Sequence, residues 1–173
     1  MKKCLIVVDY QVDFVSGSLG FEKAKLLDDK IAKKIDDYRK NDDEIIFTFD
    51  THQSNYLETN EGRHLPVPHC IEKTSGHKLY GKTASMLKDS DKCFYKSTFG
   101  SAELFEYLKT KEYQSIELCG VVSNICVISN AVLAKTAQPE TEVIVDSTCT
   151  ASNDDELNKS ALNVMKSVQI NVL

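Results

Sequence analysis

The sequence has no long hydrophobic run and no excess of basic residues. None of its apolar segments approaches the roughly 20 residues that a transmembrane helix requires, and the apolar run near the N-terminus is short and ends at Asp9. The chain carries 21 Lys and Arg against 26 Asp and Glu, a formal net charge of −5, with the basic residues spread along its length. We therefore expect neither a membrane span nor the basic face that binds nucleic-acid phosphates.

The sequence also has no C-x-x-C pair among its six cysteines and no recognisable export signal. Cysteines in a chain without an export signal are expected to be reduced thiols, which indicates a cytoplasmic protein. Repeats, low-complexity segments and interdomain linkers are absent as well. The 173 residues, 42% hydrophobic and 27% charged, are typical of one globular domain spanning residues 1–173.

Short apolar runs rich in branched residues alternate with segments of helical periodicity. The predicted strands are Cys4–Val8, Glu44–Phe49, Ser115–Val121, Glu142–Asp146 and Ser167–Leu173. The predicted helices are Leu26–Lys40, Ala102–Lys109, Asn124–Gln138 and Asp154–Lys166, the last with Ser152 as its N-cap. Apolar runs without alternation are typical of parallel strands covered on both faces. We therefore predict an α/β fold with a mostly parallel, doubly wound sheet.

Residues 51–83 depart from this alternation. The segment is mostly polar, contains two of the three prolines and holds all four histidines, His52, His64, His69 and His77. A long irregular insertion in a compact domain is usually functional or disordered. The concentration of histidines favours a functional insertion.

Reactive side chains follow three of the predicted strands. Asp9 ends the first strand, and Asp50 ends the second with His52 two residues later. After the third strand, a short turn brings Cys126 near the start of a helix. Ligands bind beyond the carboxyl ends of the strands in an open parallel sheet, so we expect these side chains on one rim.

Cys126 has the surroundings of a nucleophile. A free thiol is only a few per cent ionised at neutral pH, and both a helix N-terminus and a nearby cation favour its thiolate. The turn places Cys126 at a helix N-terminus, and Lys96 is a candidate for the nearby cation. Backbone N–H groups of the turn could bind an oxyanion. Each residue alone has an ordinary structural explanation, since buried cysteines are usually inert and single Asp or Lys side chains usually pair or face solvent. Only their combination indicates catalysis.

Four parts of the chain resemble, in order, the motifs of one enzyme family. Residues 8–14 read VDYQVDF, similar to the opening of the isochorismatase-like cysteine hydrolases. FDTH at 49–52 with PHC at 68–70 resembles the metal-site segments of the nicotinamidase/pyrazinamidase branch of this family. KSTFGS at 96–101 is similar to the family's lysine segment, and GVVSNICV at 120–127 resembles its nucleophile loop. The resemblance runs from residue 4 to about residue 151.

The resemblance implies a three-layer α/β/α fold and a catalytic triad of Asp9, Lys96 and Cys126. It also implies a non-prolyl cis peptide between Val121 and Val122, with the backbone N–H groups of Val122 and Cys126 facing an oxyanion. In the implied chemistry, Asp9 accepts the thiol proton, Lys96 stabilises the negative charge, and the thiolate attacks a carboxamide carbon. Ammonia leaves with the proton from Asp9, and water hydrolyses the resulting thioester.

The resemblance further implies one divalent metal ion with three ligands, Asp50, His52 and His69. Some members of the family have a third histidine six residues after the first, where this chain has Glu58. Others use a glutamate shortly before the Pro-His element, and Glu61 fits that arrangement best, with Glu58 and His64 as alternatives. Zinc is the expected ion, and manganese or iron would suit the same ligands.

The implied substrate is a small-molecule amide, most directly nicotinamide, which hydrolysis converts to nicotinate and ammonia in NAD salvage. Phe14 and Phe99 resemble the aromatic positions that enclose the substrate ring, and Tyr56 is a further candidate; core packing is the alternative for all three. Two other functions stay open, namely hydrolysis of another small amide or ether within the family, and non-catalytic metal binding or thiol sensing. The sequence does not determine whether the chain forms a homo-oligomer.

Overall fold

The computed structural model describes residues 1–173, and its central feature is a six-stranded sheet in which all neighbouring strands are parallel. The strands are β1 (Cys4–Val8), β2 (Glu44–Asp50), β3 (Lys92–Lys96), β4 (Ser115–Val121), β5 (Glu142–Ala151) and β6 (Asn171–Val172). Their order across the sheet is β3-β2-β1-β4-β5-β6. From β1 the chain first adds β2 and β3 on one side of the sheet and then adds β4, β5 and β6 on the other side. This is the arrangement of doubly wound folds, which bind ligands where the strand order reverses, here between β1 and β4. The predicted fold class is confirmed.

Helices cover both faces of the sheet. They are α1 (Val12–Val15), α2 (Glu22–Lys25), α3 (Asp28–Lys40), α4 (Asn60–His64), α5 (Gly81–Met86), α6 (Ala102–Lys109), α7 (Ile128–Ala137) and α8 (Asp155–Ser167). The core on one face includes buried side chains of α3, and the core on the other includes those of α6, α7 and α8. No helix of the structure combines the length and apolarity that crossing a bilayer would demand.

The two cores explain why the apolar runs do not alternate with polar residues. Successive side chains of a strand point to opposite faces of the sheet. Leu5 and Val7 of β1 therefore pack into the core under α3, whereas Ile6 and Val8 pack into the core under α6, α7 and α8. Both faces of β1 are shielded from solvent, which explains why every residue of this strand is apolar.

Three strands differ from the sequence-based prediction. The edge strand β3 was not predicted, because its sequence KCFYK is partly exposed and lacks a continuous apolar run. Strand β5 continues to Ala151 through an irregularity, since Leu118 pairs with Val145 but Gly120 pairs with Thr150, and the polar residues inside it resemble a strand end. Strand β6 has only two residues because α8 continues to Ser167.

The helix ends also differ in detail. The predicted helix over residues 124–138 begins with a π-helical turn, Ser123–Val127, and becomes α-helical at Ile128. The N-cap of α8 is Asp154 rather than Ser152, because the Asp154 carboxylate accepts the Leu157 N–H at 2.9 Å. Ser152 instead accepts the N–H of Asp154 at 3.1 Å, so it stabilises the turn before the helix.

The polar segment 51–83 is less irregular than its sequence suggests. It contains a 3₁₀ turn at Tyr56–Glu58, the short helix α4 and the start of α5. An antiparallel bridge between Gln11 and Leu79 attaches the segment to the chain that follows β1, and a parallel bridge between His52 and Ile71 joins two parts of the segment itself. The segment therefore lies over the carboxyl ends of the strands, where the predicted site residues are.

Candidate active site and metal centre

Four strand ends bring the predicted catalytic residues together. Asp9 follows β1, and Cys126 lies in the turn after β4. Asp50 and Lys96 end β2 and β3 and are direct neighbours in the register of these strands. None of the four residues is more than 4% exposed. An acid, a cation and a thiol therefore meet in a space shielded from solvent.

The backbone turns at Asp9 so that its carboxylate faces Lys96. The φ angle of Asp9 is 46°, in the left-handed region that Asp tolerates better than most residues. Thr48 holds this turn, since its hydroxyl donates to Asp9 Oδ1 at 2.6 Å and its carbonyl accepts the Asp9 N–H at 3.2 Å. The second oxygen, Oδ2, lies 2.6 Å from Lys96 Nζ.

The Lys96 ammonium is the centre of the arrangement. Its Nζ lies 2.6 Å from Asp9 Oδ2, 3.2 Å from Asp50 Oδ1 and 3.5 Å from Cys126 Sγ. A fourth contact, 2.9 Å to the carbonyl of Thr98, directs the ammonium from the other side. One cation thus contacts both carboxylates and the sulfur, including Asp9 and Cys126, between which a thiol reaction would move a proton.

Burial and mutual charge set the protonation of these groups. Burial raises the pKa of the Asp9 carboxyl, and the Lys96 ammonium offsets only part of that rise. Burial lowers the pKa of Lys96, but Asp9, Cys126 and Asp50 raise it by more, so the lysine stays protonated. Burial and the Asp9 charge raise the pKa of the Cys126 thiol well above its ordinary value, against the opposing effect of Lys96. The sequence suggested surroundings that favour the thiolate; burial and Asp9 reverse that balance, and the resting group is a thiol.

Gly120 and the residues after it shape the nucleophile turn, defined as residues 120–127. Gly120 has a φ of 108°, and a Cβ atom there would lie 2.1 Å from the carbonyl oxygen of Val8, so only glycine fits. The peptide between Val121 and Val122 is cis, which confirms the expectation from the resemblance. The Val122 N–H donates to no acceptor within the protein, so it is free to bind a ligand oxygen.

Beside Lys96, four side chains form a compact set of potential metal ligands: Asp50, His52, Glu61 and His69, whose donor atoms all lie within 4.8 Å of one another. Asp50 Oδ2 is 3.0 Å from His52 Nε2 and 3.3 Å from His69 Nε2. Glu61 Oε1 is 3.5 Å from both imidazole nitrogens. We call this set the metal cluster.

The geometry separates the three candidates for a fourth ligand. Glu61, in the first turn of α4, completes the metal cluster. The His64 ring is at the other end of α4, where its Nδ1 hydrogen bonds to the carbonyl of Asn60 at 2.8 Å. Glu58 is exposed in the preceding 3₁₀ turn. The structure therefore brings Glu61 to the other potential ligands and leaves Glu58 and His64 outside the cluster.

Hydrogen bonds behind the metal cluster orient its members. His69 Nδ1 donates to the carbonyl of Val67 at 2.8 Å, which turns Nε2 toward the cluster. The Gln11 side chain forms a pair of hydrogen bonds with the backbone of Asp50, donating to its carbonyl at 2.9 Å and accepting its N–H at 2.8 Å. Burial lowers the pKa of His69, but Asp50 and Glu61 raise it to about 10, so the carboxylates favour positive charge here.

An apolar cavity of about 190 Å³ opens onto both the sulfur and the metal cluster. It is lined by Phe14, Leu19, Phe21, Asp50, Glu61, Leu65, His69, Phe99, Val122, Ile125, Cys126 and Asn153. The predicted wall residues Phe14 and Phe99 are among them, Phe99 being half exposed at the mouth. A larger polar groove of about 820 Å³ adjoins the cavity and shares Glu61, Leu65, Phe99 and Ile125 with it.

Tyr56 does not line this cavity, contrary to the expectation from the sequence. Its ring is fully buried behind the two histidines, with centroids 4.7 Å from that of His52 and 5.0 Å from that of His69. Its hydroxyl donates to the carbonyl of Leu65 at 2.9 Å. Tyr56 therefore supports the imidazole rings and is shielded from a ligand by them.

Comparison with known proteins agrees with this geometry. A sequence model of the isochorismatase domain matches residues 3–173. The chain belongs to the isochorismatase family.

The uncharacterized isochorismatase-family protein PncA of Bacillus subtilis (strain 168) is 30% identical over an alignment of 143 positions, which covers 76% of this chain and 78% of the relative. The nicotinamidase of Saccharomyces cerevisiae is 27% identical over an alignment of 214 positions, which covers 99% of each chain. A crystal structure of the pyrazinamidase of Pyrococcus horikoshii in complex with zinc is similar to this structure with a TM-score of 0.87, at 25% identity, covering 100% of this chain and 99% of the other.

Within this isochorismatase-family site, the sequence did not reveal the buried polar side chains that hold the reactive ones. Thr48 positions Asp9, Gln11 positions Asp50, and Asn130 contacts the backbone of Cys126. Thr48 and Asn130 are polar residues within mostly apolar stretches, which is the signal that could have identified them, whereas Gln11 lies between Asp9 and Asp13 and gives no such signal. The partners of Thr48 and Gln11 are 39 residues away in the sequence, so these two pairings could not be read from it, whereas Asn130 lies only four residues after Cys126.

Proposed function

We propose that this isochorismatase-family chain is a nicotinamidase, which hydrolyses nicotinamide to nicotinate and ammonia in NAD salvage. The observation that carries the proposal is the position of Lys96 Nζ, 3.5 Å from the Cys126 sulfur, 2.6 Å from Asp9 and 3.2 Å from Asp50 of the metal cluster. The proposed nucleophile, the proposed base and one carboxylate of the metal cluster thus all contact the same buried ammonium group. The name and full-length match of the yeast relative support the same substrate.

In the first half of the reaction, the Asp9 carboxylate accepts the proton of the Cys126 thiol as the sulfur attacks the carboxamide carbon. Lys96 stabilises the negative charge of the sulfur, and the N–H groups of Val122 and Cys126 bind the oxyanion that forms from the carbonyl oxygen. The C–N bond then breaks, and Asp9 donates its proton to the leaving nitrogen. Ammonia and a thioester on Cys126 result.

In the second half, a water molecule attacks the thioester carbon while Asp9 accepts one of its protons. The C–S bond breaks, the acid is released, and the proton returns from Asp9 to the Cys126 sulfur. The same carboxylate therefore acts as base and then as acid in each half. Its raised pKa suits both roles, because a base that binds protons too weakly could not accept one from a thiol.

The metal cluster fits a divalent cation by its donor set, two imidazole nitrogens and two carboxylate oxygens in a buried group. Asp50, His52, Glu61 and His69 would hold the ion, and Glu61 is the fourth ligand in this proposal. When bound, such an ion supplies a Lewis-acidic contact for a basic ring nitrogen at the edge of the cavity. Zinc is the proposed ion, supported by the zinc complex of the Pyrococcus horikoshii pyrazinamidase; manganese and iron suit the same donors.

The cavity supports a small, single-ring substrate. Its volume of about 190 Å³ is below the roughly 300–1,000 Å³ of sites for drug-sized ligands. In our proposal, Phe14 and Phe99 enclose the ring on the apolar walls, while the carboxamide points to Cys126.

All six cysteines are unpaired in the structure, which supports a reducing, cytoplasmic location.

Replacement of Cys126 tests the proposed nucleophile. We expect Cys126→Ala to bind metal and fold as the native protein does, but to release ammonia from nicotinamide at least about 1,000-fold more slowly, because no thioester can form. Cys4→Ala is the matched control, since Cys4 is also buried but lies at the opposite end of β1. Ammonia release by Cys126→Ala at the rate of Cys4→Ala would refute the thioester mechanism.

A further inference from the structure

Asn130 is a fully buried polar residue on α7, four residues after the proposed nucleophile. Its side-chain nitrogen donates to the carbonyl of Cys126 at 2.8 Å and to the carbonyl of Phe99 at 3.1 Å. Its side-chain oxygen accepts the N–H of Ser101 at 3.0 Å. The amide therefore uses both of its donors and its acceptor on backbone groups of two different segments.

The second segment, residues 96–101, carries other parts of the site. The carbonyl of Thr98 accepts a hydrogen bond from Lys96 Nζ at 2.9 Å, and the ring of Phe99 forms a wall of the cavity. Ser101 caps α6 by accepting the Leu104 N–H at 3.1 Å. A displacement of this segment would therefore move the lysine contact and the cavity wall together.

We infer that Asn130 is a positioning residue, which holds the nucleophile turn and the segment 96–101 at the separation that places Cys126 against Lys96 and Phe99. Asn130 does not line the cavity, so it acts through these residues and not on a substrate. A buried amide whose three hydrogen bonds are made by fixed backbone groups has one orientation, and it transmits that orientation to both segments. The inference rests on the proposed role of Cys126.

Gln138 provides a matched control just beyond the other end of α7. It is also buried, and its side-chain nitrogen donates to the carbonyls of Leu108 at 2.8 Å and Lys111 at 3.1 Å. Its side-chain oxygen accepts the Thr141 hydroxyl at 2.8 Å. Gln138 thus makes as many hydrogen bonds as Asn130, but none of them reaches the cavity or the nucleophile turn.

The experiment compares Asn130→Ala, Asn130→Asp and Gln138→Ala with the native protein. For each we would measure the Tm, kcat and KM for ammonia release from nicotinamide, and the rate at which iodoacetamide alkylates Cys126, located by mass spectrometry. We expect similar falls in Tm for the two alanine variants. Only the Asn130 variants should lose kcat, by about 10- to 100-fold, with a smaller change in KM, since misplacement of a reacting group mainly affects the chemical step.

Asn130→Asp retains the shape and the acceptor but replaces the two N–H donors, so it tests the hydrogen bonds to Cys126 and Phe99 apart from packing. We expect it to lose kcat as Asn130→Ala does and to change the alkylation rate several-fold. Native kcat and alkylation rate in the folded Asn130 variants, or equal losses in Gln138→Ala, would overturn the inference. If the native protein releases no ammonia from nicotinamide, the proposed function fails, whereas the alkylation rates still decide the role of Asn130.

Discussion

Asp50 links the two halves of the site through the two oxygens of one carboxylate. Oδ1 lies 3.2 Å from Lys96 Nζ, whereas Oδ2 faces His52 and His69. Burial raises the pKa of this carboxyl, but its hydrogen bonds with the two histidines and the charge of Lys96 hold the pKa well below its usual range. Asp50 is therefore an anion that contacts both the Lys96 ammonium and the two histidines of the metal cluster.

The choice of the fourth ligand can be tested at the level of single residues. We expect Glu61→Ala to weaken metal binding by at least about 10- to 100-fold, because one of four donor atoms is lost. His64→Ala, on the same short helix, should change the affinity by less than about twofold, since the His64 ring hydrogen bonds to Asn60 outside the cluster. Competition with a chromophoric chelator measures both affinities. A large effect of His64→Ala with none of Glu61→Ala would reassign the ligand.

The residue types at this site were predictable, but their supporting contacts were not. The motifs predicted Asp9, Lys96 and Cys126 as catalytic residues, and in the structure the Lys96 ammonium contacts both Asp9 and Cys126. The sequence wrongly placed Tyr56 in the cavity wall. An aromatic residue close in sequence to potential metal ligands can either line a cavity or pack behind the imidazole rings. Only the packing of its ring against His52 distinguishes the two.

Among the secondary-structure elements, the pattern of apolar residues in the sequence predicted the buried strands but not the edge strand β3. A strand covered on both faces, such as β1, has a continuous apolar sequence. The edge strand β3 is paired on one side only and contains Lys92, Tyr95 and Lys96, so its sequence resembles a loop. Its existence follows from pairing with β2, which is a long-range contact that composition does not encode.

Three elements are joined by a largely buried charge network away from the site. Lys34 of α3 lies 2.5 Å from Glu117 of β4 and 2.8 Å from Asp146 in the irregular part of β5. Tyr38, one turn later on α3, donates to Glu117 at 2.5 Å. The network ties α3 to the two strands where their register shifts, so we expect it to contribute to stability.

The pH dependence of stability tests this network. Burial raises the pKa of Asp146, but Lys34 and Thr148 lower it by more, to about 2, below the value of 3.8 for an unperturbed carboxyl. A carboxyl with a depressed pKa in the folded state stabilises the protein above pH 4 and loses this effect as the pH falls through 2. We expect Asp146→Asn to lower the free energy of unfolding by about 2 kcal/mol at pH 7 and the difference from the native protein to shrink steadily below pH 4.

Urea unfolding at several pH values measures this difference. Asp89→Asn, which removes an exposed carboxylate, is the control and should have little effect at any pH. A deficit in Asp146→Asn that stays constant from pH 7 to pH 3 would show that its cause is packing rather than charge.

At the scale of the whole molecule, the strand order determines where chemistry can occur. The reversal between β1 and β4 places Asp9 and the nucleophile turn beside each other, and β2 and β3 add Asp50 and Lys96 on the same side. The alternation of strands and helices predicted this type of sheet. The position of segment 51–83 over the strand ends, and the cavity that it closes, depend on contacts such as Gln11 with Leu79 that only the folded chain shows.

We propose that the site recognises the ring nitrogen of nicotinamide as well as its amide. Benzamide has nearly the same shape but lacks that nitrogen, so a site that offers a metal contact for it should penalise benzamide heavily. We predict that kcat/KM of the zinc-loaded protein is at least about 100-fold higher for nicotinamide than for benzamide. The ratio should fall toward one when a chelator removes the metal. Equal kcat/KM for the two amides with metal bound would contradict the assignment as a nicotinamidase.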